Sequence, residues 1–351
     1  LGTDQNVVFD LKYEQFDDIL YNLFEENMTE HTYKSFTDAF AGLAKLVNNP
    51  EYVCQPRGMK IKEHLGVKFV ITNPRDRLLF IPERKFSLSY MMGEILWYIS
   101  GNNSTEWISN YSQFWSNISD DGVTANSAYG SRIFKPHDRI CGAEHDWTQW
   151  QYVIDELKRD PDSRRAVIHI RSPKDSMLAV KDVPCTLTLQ FFIRDGKLHQ
   201  IVSMRSSDLI FGISYDVPAF TFFQEMLANE LGVELGSYVH ISNSLHVYER
   251  HFEMLDKIAK NSGYSSIPMN AMPNITNNVI QQLIQEEQII QRYKSEADIV
   301  SFNSWLKSEK HEYWHDMIQI LLMHKAQKLS VNENIIQELK NGLFDRSLKS
   351  L

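Results

Sequence analysis

The chain has 351 residues, 43% hydrophobic and 12% aromatic, enough apolar mass for one large domain or two ordinary ones and too much for a disordered chain. A net charge of -9 excludes a broad nucleic-acid-binding face, although a local group of arginines could still hold one phosphate. Three scattered cysteines, Cys54, Cys141 and Cys185, show no CxxC or Cys/His spacing, so neither a disulfide framework nor a zinc site is expected.

The N-terminal residues carry no leader pattern, and the longest apolar run, around YMMGEILWYISG, is too short to span a bilayer. A cytoplasmic setting is the expectation. Residues 10–48 read as helical, with apolar residues at helical spacing in FDDILYNLFEENM and FTDAFAGLAKLV. GVKFVITNPRDRLLF reads as a strand and a proline-marked turn, and FSLSYMMGEILWYISG as a helix ended by Gly101. DWTQWQYVIDELKRDPDS is a further helix, stopped at Asp160-Pro161. RAVIHIRS predicts a strand. CTLTLQFFIRDGKLHQIVSMRSS predicts a hairpin, because Leu187, Leu189, Phe191 and Ile193 alternate and Asp195-Gly196 is a favoured turn. VPAFTFFQEMLANELGV follows as an apolar helix, and GSYVHISNSLHVYERH returns to strand. From residue 276 the chain turns helical and polar-faced. The class is α+β: an N-terminal helical segment (1–50), a largely β core packed with helices (51–275) and a C-terminal helical extension (276–351).

Cys185 follows Pro184 and opens a strand, where a ligand can approach its thiol; Arg205, across the hairpin, could stabilise a thiolate. A cysteine there serves equally as a small core hydrophobe. Glu94 stands among Met91, Ile95, Leu96 and Tyr98, with no polar helical face to serve it. Such a carboxyl is either a rim residue or a group of raised pKa suited to acid–base work. Arg164 and Arg165 at a strand mouth could converge on one anion or form a solvated pair. His246 and Tyr248, two apart on one strand face, could grip a sugar hydroxyl.

Together these pieces resemble the thymidylate synthase family, from about Arg57 to His251. The motifs are GEILWYISG, NSAYGSRI, DPDSRRAVI, PCTLTLQFFIRDGKL, MRSSDLIFGISYDV and HVYERH. The resemblance implies a homodimer whose chains exchange arginines, and 5,10-methylenetetrahydrofolate as co-substrate with no metal. It implies Cys185 as nucleophile, Glu94 as acid–base carboxylate and Tyr129 near the proton-abstraction step. Arg57, Arg205 and Ser206 would hold the nucleotide phosphate, joined by Arg164 and Arg165 of the other chain. His246 and Tyr248 would take the deoxyribose 3′-hydroxyl, while Asp208, Gly212 and Trp115 would line the folate.

Four departures bear on the substrate. Asp216 stands where the synthases have asparagine, Thr186 where they have histidine, and Ser244 where they have aspartate; the helical extension stands where a short tail closes over the folate. Uracil offers an N3–H donor and an O4 acceptor, whereas cytosine offers an N3 acceptor and an N4 donor, which a protonated carboxyl fits. The expectation is therefore 5-hydroxymethylation of dCMP, as used by some phages to modify DNA precursors. The alternatives are hydroxymethylation of dUMP or CMP, thymidylate synthesis, and a nucleotide-binding protein on the same scaffold. The C-terminal helices could be a docking module or simply pack on the core.

Overall fold

Eight strands form one mixed sheet in the computed structural model, which describes residues 31–136, 147–177, 180–307 and 312–351. They are β1 His31–Tyr33, β2 Tyr52–Cys54, β3 Ile61–Ile71, β4 Val167–His169, β5 Thr186–Arg194, β6 Lys197–Met204, β7 Ser207–Asp208 and β8 Glu234–Tyr248. The order is β1-β3-β8-β6-β5-β4, with β2 also on β3 and β7 also on β8. The long strand β8 organises the sheet. It pairs antiparallel with β3 from Ile71↔Tyr238 to Ile61↔Tyr248, and parallel with β6 as far as Met204↔Ser242. Pairing resumes at Ser207↔Leu245 and Asp208↔His246. Arg205 and Ser206 thus occupy a break between two segments that run along the same strand.

Helices cover the inner face of the sheet. They are α1 Phe36–Asn48, α2 Leu88–Ile99, α3 Tyr129–Ile133, α4 Gln149–Arg159, α5 Ser214–Leu231 and α6 Phe252–Lys260. Helix α2 buries every residue from Met91 to Ile99, as expected of a helix apolar on all sides. Alternation along β6 turns Leu198, Gln200, Val202 and Met204 inward and leaves Ile201 and Ser203 half-buried on the other face. At the hairpin tip Asp195 and Gly196 both have positive φ (50° and 70°), the backbone that a two-residue turn between right-twisted strands requires.

Five further helices follow among the described residues: α7 Asn277–Arg292, α8 Glu296–Leu306, α9 Glu312–Lys328, α10 Glu333–Gly342 and the short α11 Arg346–Lys349. Their buried residues, among them Leu283, Ile290, Trp314, Ile318 and Leu321, join the same apolar cluster as Ile95 and Trp97 of α2. Two expectations on local structure change. Residues 31–33 are a strand rather than helix, because HTY pairs parallel with Phe69–Ile71 at the sheet edge. The strand of RAVIHIRS is confined to Val167–His169, the residues that find partners on β5. The segment FDDILYNLFEENM and Cys141 lie outside the described residues.

Candidate active site

Cys185 stands half-buried one residue before β5. The hairpin register brings Arg205 back beside it: the Arg205 backbone N–H donates to the Cys185 carbonyl at 2.9 Å. The guanidinium donates to the carbonyls of Pro184 (2.9 Å) and Val183 (2.8 Å) and reaches to 3.5 Å from Sγ. Two carbonyl contacts hold the cation in place, so its position is set before any ligand arrives. Burial pushes the thiol up; Arg205 draws it down, Asp216 and Asp182 push it up, and Arg57 draws it down again. Arg57 therefore lies within electrostatic reach of the thiol, on an exposed turn where its own φ is 52°, uncommon for a residue other than glycine.

A second group of residues surrounds Glu94. Tyr90, Glu94 and Tyr98 recur at four-residue intervals, one above the other on a single face of α2. The Tyr90 hydroxyl donates to Glu94 Oε1 at 2.6 Å, and the Trp115 indole N–H donates to the Tyr90 oxygen at 3.0 Å. Burial raises the Glu94 carboxyl to about 7, against the pull of hydrogen bonds from Tyr90 and Tyr98. Tyr129 completes this wall. It stacks on Tyr98 at 5.4 Å, and its buried hydroxyl lies beside Thr186 and within the fields of Asp216, Cys185 and Glu94. This approach depends on Gly130, where an added Cβ would fall 2.2 Å from the Tyr98 carbonyl oxygen. Asn126 and Ser127 of the same motif bond to Asp182, three residues before Cys185, and tie the two loops together.

Asp216 lies in the first turn of α5, half-buried. Among the described residues no hydrogen bond reaches its carboxyl. Burial drives its pKa far above the usual carboxylate range, and the charges of Glu94 and Asp208 push the same way. Burial thus favours the protonated form of this unpartnered carboxyl, which carries a donor as well as an acceptor. Gly212 is its neighbour across one turn, with an added Cβ placed 3.4 Å from Asp216 Oδ2. Asp208 accepts from the Ile210 N–H at 2.9 Å and is paired across β7–β8 with His246, whose ring meets Tyr248 edge-on at 5.1 Å. Ser244 donates to Glu63 of β3, so a carboxylate stands near this position from the neighbouring strand.

The site residues lie around the β6–β7 break, with three exceptions. Arg164 and Arg165 are exposed ahead of β4 and are not among the charges acting on Cys185. Trp115 is 7% exposed, packed at 5.1 Å on Trp97, while its neighbour Phe114 is open to solvent. Sequence reasoning missed Tyr90 and Tyr98, whose four-residue spacing about Glu94 was the available signal. It also missed Arg84, which no local pattern marks: its guanidinium packs under Phe211 (5.1 Å) and Tyr215 (5.3 Å) and bonds to Ser214. The exposed Phe211 ring beside Asp208 and Gly212 offers a ligand an apolar surface, and Asp208 offers it a carboxylate.

A sequence model of the thymidylate synthase family matches residues 46–302, from α1 into α8. The chain belongs to the thymidylate synthase family. It is similar to the deoxyuridylate hydroxymethyltransferase of Bacillus phage SP01, 36% identical over 201 residues that make up 56% of this chain and 52% of the relative. It is also similar to the deoxyuridylate hydroxymethyltransferase of Delftia phage PhiW-14, at 32% over 235 residues (63% of this chain, 62% of the relative). The thymidylate synthase of Bacillus phage phi3T is 31% identical over 160 residues (46% and 56%). The chain thus spans between half and two thirds of the length of these relatives. No helix among the described residues is long and apolar enough to cross a membrane.

Proposed function

We propose that this member of the thymidylate synthase family transfers a one-carbon unit to C5 of a pyrimidine deoxynucleoside monophosphate and releases the 5-hydroxymethyl product, with dCMP as the nucleotide. The observation that carries the choice of base is Asp216: a half-buried carboxyl at the start of α5 with no hydrogen-bond partner among the described residues, where burial and the charges of Glu94 and Asp208 favour the protonated form. An asparagine amide can also present a donor and an acceptor, so hydrogen-bond pattern alone does not separate the bases. What the amide cannot do is give up a proton. Addition of sulfur to C6 of cytosine builds negative charge that a proton on N3 neutralises, and a neutral Asp216 can supply it.

In this reading Arg205, Ser206 and Arg57 bind the phosphate, and the charge of Arg205 lowers the cost of forming the thiolate as Sγ attacks C6. His246 and Tyr248 take the sugar hydroxyl. Asp208, Gly212 and Phe211, with the Trp115 side of the wall, would hold methylenetetrahydrofolate, which when bound would supply the one-carbon unit. Tyr129 and Glu94 then handle the C5 proton. Tyr129 is held too high to ionise and so passes a proton on, whereas Glu94, at about 7, can take a proton and return it near neutral pH. Loss of the C5 proton with breakage of the carbon–nitrogen bond to tetrahydrofolate leaves an exocyclic methylene, and addition of water to it with departure of Sγ from C6 gives the hydroxymethyl nucleotide.

A second reading is hydroxymethylation of dUMP, favoured by the names of the phage relatives. A neutral carboxyl can turn to donate to O4 and accept from N3–H. The deciding experiment incubates [5-³H]dCMP and [5-³H]dUMP separately with the protein and methylenetetrahydrofolate, counts tritium released and weighs the product. Release from dCMP with a hydroxymethyl product supports the first reading; release from dUMP alone overturns it.

We also propose a homodimer, in the cytoplasm of a phage-infected bacterium. In support, the outer sheet face carries the half-buried Phe192, Ile201, Val239 and Ile241, and Arg164 and Arg165 stand apart from their own chain's site. Mixing two inactive variants, Cys185→Ala and Arg165→Ala, should restore tritium release, because one mixed site has both residues. No recovery after subunit exchange would overturn the shared site.

A further inference from the structure

The segment from Asn110 to Trp115 lies between the C-terminal helices and the wall that holds Glu94. The Tyr111 ring sits over Gly93, the residue before Glu94; a Cβ added there would fall 2.5 Å from the ring, so only glycine admits it. Its hydroxyl donates to Glu287 Oε1 of α7 at 2.8 Å and accepts from Gln291 Nε2 at 2.8 Å. His324 of α9 stacks on the same ring at 5.2 Å, with Nε2 2.9 Å from the Asn110 carbonyl and Nδ1 3.2 Å from Ser89 Oγ on α2. Lys328 donates to the same Asn110 carbonyl. At the far end of the segment, Trp115 donates to Tyr90, which donates to Glu94.

We infer that Tyr111 is a positioning residue: clasped by Glu287, Gln291 and His324, it fixes the 110–115 segment so that Trp115 and Tyr90 keep Glu94 dry and oriented. The helices beyond residue 276 then act on the carboxyl rather than forming a passive appendage. The inference rests on the reading of Glu94 as the acid–base group. The polar groups around Glu94 are Tyr90, Tyr98, Tyr129 and Asp216; those around Glu287 are Tyr111, Gln291 and Lys325. Tyr111→Phe keeps the ring over Gly93 and removes only the tie to α7. Glu287→Ala removes the same tie from the other side, whereas the amide oxygen of Glu287→Gln still accepts from Tyr111.

The test measures tritium release (kcat, KM and pH profile) and thermal stability of the whole chain and these three variants. It adds a carbon-13 NMR titration of the Glu94 carboxyl, identified by its loss in Glu94→Gln, which needs no turnover. Tyr111→Phe and Glu287→Ala should each lower kcat roughly 10-fold with little change in nucleotide KM. Both should move the Glu94 titration down by about half a unit as water reaches it. Glu287→Gln should keep the parent's titration and rate. Variants that lose thermal stability but keep kcat, pH profile and titration would overturn the inference. A parent protein that releases no tritium from either nucleotide would overturn the functional reading instead, and the NMR titration would still decide the role of Tyr111.

Discussion

Replacing Glu94 by glutamine separates what this residue does for the reaction from what it costs the fold. The carboxyl rises from 4.5 to about 7 on folding, chiefly because burial disfavours its charged form. A group raised in this way costs nothing below the unfolded pKa, where both states carry the proton. Its cost grows as pH climbs and is complete above the folded pKa, at roughly 3 kcal/mol for a shift of this size. Glutamine cannot ionise, so the variant is spared the cost, and the Tyr90 and Tyr98 hydroxyls can still turn to meet its amide. The variant should therefore gain on the parent between pH 5 and pH 8, by about 6–12 °C in Tm at about 2–4 °C per kcal/mol. Turnover should fall about 10²–10⁴-fold, the usual worth of a positioned acid–base group, and a break near pH 7 in the parent's rate profile should vanish. The assay pairs calorimetry across this pH range with tritium release. A Tm difference that does not change with pH, or a variant that keeps both rate and break, would refute the assignment of a buried, titrating carboxyl at the reaction centre.

Asp216→Asn should lower kcat/KM for dCMP by about 10²–10⁴, more through kcat than KM, because the lost element is a proton donor; unchanged selectivity between dCMP and dUMP would remove the base-edge argument. Cys185→Ala should abolish turnover and leave dCMP binding by calorimetry within about threefold, since the contacts proposed for phosphate and sugar are untouched; loss of binding would mark the cysteine as structural. His240, stacked on Phe69 at 4.9 Å and bonded to Tyr238 at 2.9 Å, is pushed down to about 3 by burial. A depressed histidine gives stability that is present above its unfolded pKa and lost as pH falls, so urea titrations should show stability declining from about pH 6.5 downward; His240→Gln should flatten that decline, and an unchanged slope would contradict it.

Much of the fold could be read locally. The hairpin of β5 and β6 followed from alternation and Asp195-Gly196, and the helix 88–99 from its apolar run and Gly101. The strand at 31–33 could not be read this way, since three residues carry no periodicity and only the edge of β3 makes them a strand. Similarly, Arg84 bears no local mark. Its place under Phe211 and Tyr215 arises because the turn before α2 meets the start of α5, 126 residues away from Ile210 to which it also bonds.

By itself the sequence determined which chemical groups exist and in what order: a cysteine after proline, a glutamate without a polar face, arginines at strand mouths, and an aspartate within an apolar stretch. Those follow from side-chain chemistry and spacing over a few residues. Only the tertiary structure decided their states. That burial raises Glu94 to about 7 and Asp216 well above the usual carboxylate range, and that Arg205 reaches the thiol, depends on desolvation and on distances set by residues far apart in the chain. The same holds for Tyr111, an ordinary loop tyrosine until α7 and α9 close on it from the far end of the sequence.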